Sequence, residues 1–127
     1  MREILFRGKR LDNGEWVEGF YNHLPCGRFG ADEHMIQTVL ENGKIGMLHD
    51  IDPCTAGQYT GLKDKNGERI WEGDILSLRT GRPHVVRFKN GAFILEDSSI
   101  PISFAIKFEI IGNVHDNPEL LKEEAQP

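Results

Sequence analysis

Cysteine is scarce in this 127-residue chain: only Cys26 and Cys54 are present. Neither belongs to a CxxC pair, and with no sign of export two isolated thiols are expected to stay reduced and free. Metal-ligand spacing is lacking too. Cys26, His34, His49 and Cys54 are scattered along the chain with no HxxxH, so no metal site is expected. His49, Asp50 and Asp52 could hold a divalent ion, but the Asp52-Pro53 step more simply marks a turn. The nucleotide-binding patterns GxGxxG and GxxxxGK[ST] are missing, as are the hydrolase patterns GxSxG and HExxH. No cofactor is therefore expected, and the reading leans away from an enzyme, with catalysis of an unidentified type as a minor alternative. Apolar runs stay far short of the ~20 residues of a membrane span, and the start lacks the apolar core of a secretory signal. A soluble, intracellular protein is the expectation.

What the chain has in quantity is turn chemistry. Gly (14) and Pro (6) mark many short elements, and 39% hydrophobic residues suffice for one core in a single domain. Asn-Gly dipeptides stand at 13–14, 42–43, 66–67 and 90–91. Asn-Gly favours the type I′ turn that joins antiparallel strands, and alternating flanks predict hairpins at the first, second and fourth. The third sits in a less regular segment and reads as a longer loop. Ile100, Ile102, Phe104, Ile106, Phe108 and Ile110 alternate over eleven residues, which predicts a half-buried strand. Asn117-Pro118-Glu119 opens a short helix, with Asn117 as its cap and Leu120 and Leu121 packed inward. No helix-period stretch reaches ten residues, so the fold class is all-β, a small barrel or sandwich.

The net charge of −5 is concentrated in the tail, where residues 116–127 hold four acids and one base. By contrast, Ser77 to Leu95 contains no acid but has Arg79, Arg82, Arg87 and Lys89. Such a stretch can neutralise phosphates, which makes a nucleic-acid-binding surface one candidate; a solvated strand face is the plainer explanation.

The segment with the most local information runs from Thr55 to Ile75. Gly57-Gln58-Tyr59-Thr60-Gly61-Leu62 and Ile70-Trp71-Glu72-Gly73-Asp74-Ile75, with the start Met1-Arg2-Glu3-Ile4-Leu5-Phe6-Arg7 and the closing run Ile111 to Leu121, resemble the YopX-like proteins of phages and prophages. Trp71 stands where that family often has Tyr or Phe, which preserves the ring. The resemblance implies a small SH3-like, partly open barrel at 55–115, an added N-terminal hairpin region at 1–54, and a short helix and acidic tail at 116–127. It also implies a phage or prophage origin and the cytoplasm of a bacterial host, and it brings no catalytic residue.

Two readings of the segment compete. In one, Asp64 caps the turn at Asn66-Gly67 and Asp74 satisfies free amides after Glu72-Gly73, so turn chemistry accounts for every residue. In the other, Gln58, Tyr59, Thr60, Trp71 and Glu72 are exposed together as a docking patch for a protein partner from phage or host, or for a second copy of the chain. The leading expectation is a non-enzymatic protein-interaction module.

Overall fold

The computed structural model describes residues 4–27, 30–78, 81–96 and 98–122. The all-β expectation holds: among the described residues nine strands form two sheets, with one four-residue α-helix near the end. The strands divide between two compact units, Met1–Gln58 and Tyr59–Pro127, and the boundary falls inside the longest strand. No helix among the described residues is long and apolar enough to cross a membrane.

The first unit contains β1 (Phe6–Arg10), β2 (Trp16–Leu24), β3 (Glu33–Val39) and the larger part of β4 (Ile45–Lys63). Each neighbour pairs antiparallel with the next, and β1 also pairs with β4, so the hydrogen bonding runs β1–β2–β3–β4 and back to β1. Bulges interrupt the circuit, which is not a clean closed barrel. The largest lies opposite β1, where the two steps from Arg7 to Lys9 are matched by five steps of β4, from Gly57 to Asp52. Asp52-Pro53 starts this bulge. The Asp52 carboxylate accepts the Cys54 N–H at 3.0 Å, and Thr55 Oγ1 accepts the Lys9 N–H at 2.8 Å. Asp52 therefore serves a turn. Met35, Ile36 and Ile51 are buried apolar residues of this unit, and Gly8 makes room for the two isoleucines: a Cβ there would stand 2.6 Å from Ile51 Cδ1 and 3.4 Å from Ile36 Cδ1.

The second unit continues β4 into β5 (Arg69–Trp71) through the pairs Tyr59–Trp71 and Lys63–Arg69. Its separate sheet has the order β8 (Ala92–Leu95), β7 (His84–Lys89), β6 (Asp74–Ser77), β9 (Glu109–Asn113). Ile70, Leu76, Val86, Leu95, Ala105 and Phe108 form its core, with Leu62, Ile100, Ile102 and Ile110 packed against it.

All four Asn-Gly sites are turns, the third included, but their geometry differs from the expectation. Only at the fourth do both residues have positive φ (Asn90 +53°, Gly91 +82°), as a two-residue type I′ loop between Lys89 and Ala92 requires. At Gly43 and Gly67 the glycine alone is left-handed and closes a three-residue loop, with Gly43 N–H on the Leu40 carbonyl and Gly67 N–H on that of Asp64.

The long strand predicted from Ile100 to Ile110 is not there. Residues Ile102–Lys107 form a 3-10 helix after Pro101, followed by the short β9. Every third residue explains it: Ile102 is half-buried, Ala105 and Phe108 are buried, and Phe104 and Ile106 point to solvent. A 3-10 helix has three residues per turn, so that spacing stacks one face on the core. The Phe104 N–H meets the Pro101 carbonyl and the Phe108 N–H that of Ala105, both at 3.0 Å. After β9, helix α1 (Glu119–Lys122) appears where expected, with Leu120 and Leu121 half-buried. Asn117 caps differently from the expectation: its side-chain oxygen accepts the Asn113 N–H at 3.2 Å, back towards β9. The residues of the tail from 123 to 127 lie outside those described.

Candidate functional site

The family-like segment is built into the second unit as structure. Tyr59 and Trp71, expected on a docking patch, are 5% and 3% exposed, and their rings meet at 5.4 Å between centroids. The cross-strand pairing of β4 with β5 puts them side by side, and Arg69 lies over the Tyr59 ring at 5.4 Å. Thr60 donates its hydroxyl to the Ile70 carbonyl at 2.8 Å and accepts the Leu62 N–H. Glu72 is half-buried. Gln58 belongs to the first unit, half-buried and paired with Phe6. The five residues therefore do not stand exposed together: two are core.

The acids of the segment tie down backbone, as the turn reading expected. Asp74 is buried and accepts the Trp71 N–H at 2.7 Å across the Gly73 turn, whose φ of +93° suits glycine. Asp64 is buried as well. One of its oxygens accepts the N–H groups of Asn66 and Glu68 at 2.8 and 2.9 Å, and the other that of Ile110 at 3.1 Å. Burial alone pushes the Asp64 carboxyl up, but the Ile110, Glu68 and Asn66 amides, helped by the Lys65 charge, hold it below the usual carboxylate range.

The basic stretch is partly neutralised. Arg87 Nε and Lys89 Nζ share the same Glu96 oxygen at 3.4 and 3.2 Å, a residue just past the acid-free interval. Arg82 is exposed, and Arg79 lies outside the described residues.

The first unit shows surface chemistry that the motifs did not reveal. Where β3 turns into β4, Val39, Leu40, Ile45, Met47 and Leu48 are all exposed, Met47 at 72%. Val39 pairs directly with Ile45. Met47 and Leu48 join Leu11, 66% exposed, in the lining of an open depression of about 390 Å³ whose walls also include Arg10, Asp12 and Asp50. The signal was in the sequence: from Val39 to Leu48 a hairpin carries apolar residues at positions that face both sides.

A second cluster lies at the other end of β3. His23 and His34 are cross-strand partners in β2 and β3, with parallel rings 4.3 Å apart. Asp32 Oδ2 is 3.3 Å from His23 Nε2, and the other carboxylate oxygen accepts the Cys26 N–H at 3.2 Å. That amide, then His23, hold Asp32 below the usual carboxylate range. The Tyr21 hydroxyl bonds to His34 Nδ1, and burial pushes its own pKa up. One ligand atom from each of His23, Asp32 and His34 lies within 4.8 Å of the others. Scatter along the chain thus did not carry into space. Strand register brings His23 opposite His34, and the Pro25 and Gly27 turn signals between Leu24 and Glu33 do not fix that register. Cys26 and Cys54 are free and exposed.

An all-β chain with two bulged sheets and turn-capping carboxylates is the class these observations define. The family model described as YopX protein matches residues 5–122, and the chain belongs to that family. It is similar to the crystal structure of protein EF1440 from Enterococcus faecalis, at 26% identity and a TM-score of 0.60, over 95% of this chain and 99% of that one. No curated protein matches the sequence.

Proposed function

We propose that this chain is a non-enzymatic protein-interaction module, an accessory protein of phage or prophage type acting in the cytoplasm of a bacterial host. The observation that supports the reading is the exposed apolar rim of the β3–β4 hairpin, where Val39, Leu40, Ile45, Met47 and Leu48 adjoin the depression at Leu11. Water-exposed side chains of this size gain free energy when a partner covers them, at about 25 cal/mol per Å² of apolar surface. A concentrated patch is therefore more informative than single exposed residues. Arg10, bound through two contacts to Asp12 at 2.9 and 2.5 Å, gives the patch a charged edge that can orient a partner. The partner this surface fits is a protein that presents apolar side chains.

The reading moves the interaction surface away from Gln58, Tyr59, Thr60, Trp71 and Glu72, because buried rings cannot contribute contact area without unfolding their strands. Nucleic-acid binding through Arg82, Arg87 and Lys89 is the rival reading, and it predicts affinity that falls steeply with salt.

Affinity capture from host bacteria, using the wild type and an Ile45→Asp/Met47→Asp variant, tests the proposal. A protein retained by the wild type, lost by the variant and bound again when both are purified supports it. Light scattering of the purified chain identifies the case in which the partner is a second copy. Identical capture by wild type and variant overturns it.

A further inference from the structure

We propose that His23, Asp32 and His34 form a binding site for a divalent cation of the zinc class, with water completing the coordination. Two imidazoles and one carboxylate are the donor set such ions favour. Ca²⁺ and Mg²⁺ prefer oxygen ligands, and softer ions prefer thiolates. The His23 Nε2 to Asp32 Oδ2 separation of 3.3 Å matches the edge of a tetrahedron. Metal–ligand bonds of about 2.0–2.1 Å require roughly that spacing. A cation there replaces the proton that the two atoms now share. The stacked rings cannot both aim their in-plane lone pairs at one ion. The exposed His23 ring therefore tilts out of the stack to meet it while Tyr21 holds His34, the three ligand atoms lying within 4.8 Å of one another.

Neighbouring groups already restrain two of the three donors, His34 and Asp32. Tyr21 occupies His34 Nδ1, and with that nitrogen donating its proton to the phenol oxygen, the Nε2 lone pair of His34 is left for the cation. Asp32 is turned by the Cys26 N–H on its other oxygen, which keeps the first oxygen facing His23. The pairing of β2 with β3 sets the two rings in register, so the site has strands beneath it as well as loop. Three donors leave a coordination position open, which permits the ion to take a further ligand from solvent or a partner.

The test is calorimetric titration of the full chain, stripped with a chelator, with Zn²⁺ and separately with Mg²⁺. One equivalent of Zn²⁺ is expected to bind and Mg²⁺ not to. His23→Gln and His34→Gln are each expected to weaken zinc by about 100-fold or more, and Tyr21→Phe, which keeps the ring but frees the imidazole, by about tenfold. Circular dichroism establishes that each variant is folded. Co²⁺ in place of zinc gives an independent readout, an intense visible band for a low-coordinate site that both histidine variants abolish. Absence of zinc binding overturns the proposal. So does binding unchanged in folded His23→Gln and His34→Gln, which locates the ion at other histidines, and unchanged affinity in Tyr21→Phe removes the positioning role of Tyr21.

Discussion

The two units use similar β-rich material in opposite ways. In Tyr59–Pro127 the recognisable blocks are interior: Tyr59 packs on Trp71, Asp74 and Asp64 hold backbone amides, and six buried apolar residues form one core. Among the described residues of Met1–Gln58 only Met35, Ile36 and Ile51 are buried large apolar side chains, while the β3–β4 hairpin displays its own. Motif density and surface chemistry thus lie in different parts of the chain. The blocks around Tyr59 and Trp71 are packed into the fold, and the first unit carries the exposed β3–β4 hairpin on which the proposed contacts rest.

Substitutions can break that comparison. The largest expected effect is in the second unit, where Trp71→Ala removes a buried ring and is expected to cost about 3–5 kcal/mol, read by urea unfolding. If Trp71 served a surface, the same change would barely move stability. Asp64→Asn comes next, at roughly 1–3 kcal/mol, because its amide nitrogen meets the Ile110 N–H as a second donor. It also alters acid behaviour. The Asp64 carboxyl lies lower in the folded chain than the ~3.9 of an unfolded one, so its contribution is complete above that value and disappears as pH falls through the lower folded one. Thermal midpoints between pH 5 and pH 2 are expected to fall more steeply for the wild type than for Asp64→Asn. In the first unit, Met47→Ala is expected to change stability by no more than about 0.5 kcal/mol, since the side chain is solvated in the isolated chain. A large loss there would mean that the hairpin rim packs on something within the chain.

Turn chemistry was the legible layer. Asn90-Gly91, the Asp64 turn and the Glu72-Gly73-Asp74 turn follow from residues within five positions of one another, so the sequence displays them directly. Three things were not legible. The alternation from Ile100 to Ile110 contains a period of two and a period of three at once, through Ile102, Ala105 and Phe108. Only the shape of the core chooses between them. Tyr59 and Trp71 read equally as anchors or as core, because amphipathic rings suit both and burial is set by strands distant in sequence. The His23–Asp32–His34 cluster needed the register of β2 on β3, which sets His23 opposite His34.

The most direct measurement is one capture experiment on three forms of the chain: wild type, Ile45→Asp/Met47→Asp, and Arg82→Ala/Lys89→Ala, each with its melting curve. The account predicts that the hairpin variant melts like the wild type and loses the protein partner, while the basic-stretch variant keeps it. A partner retained by the hairpin variant and lost by the basic-stretch variant would contradict it.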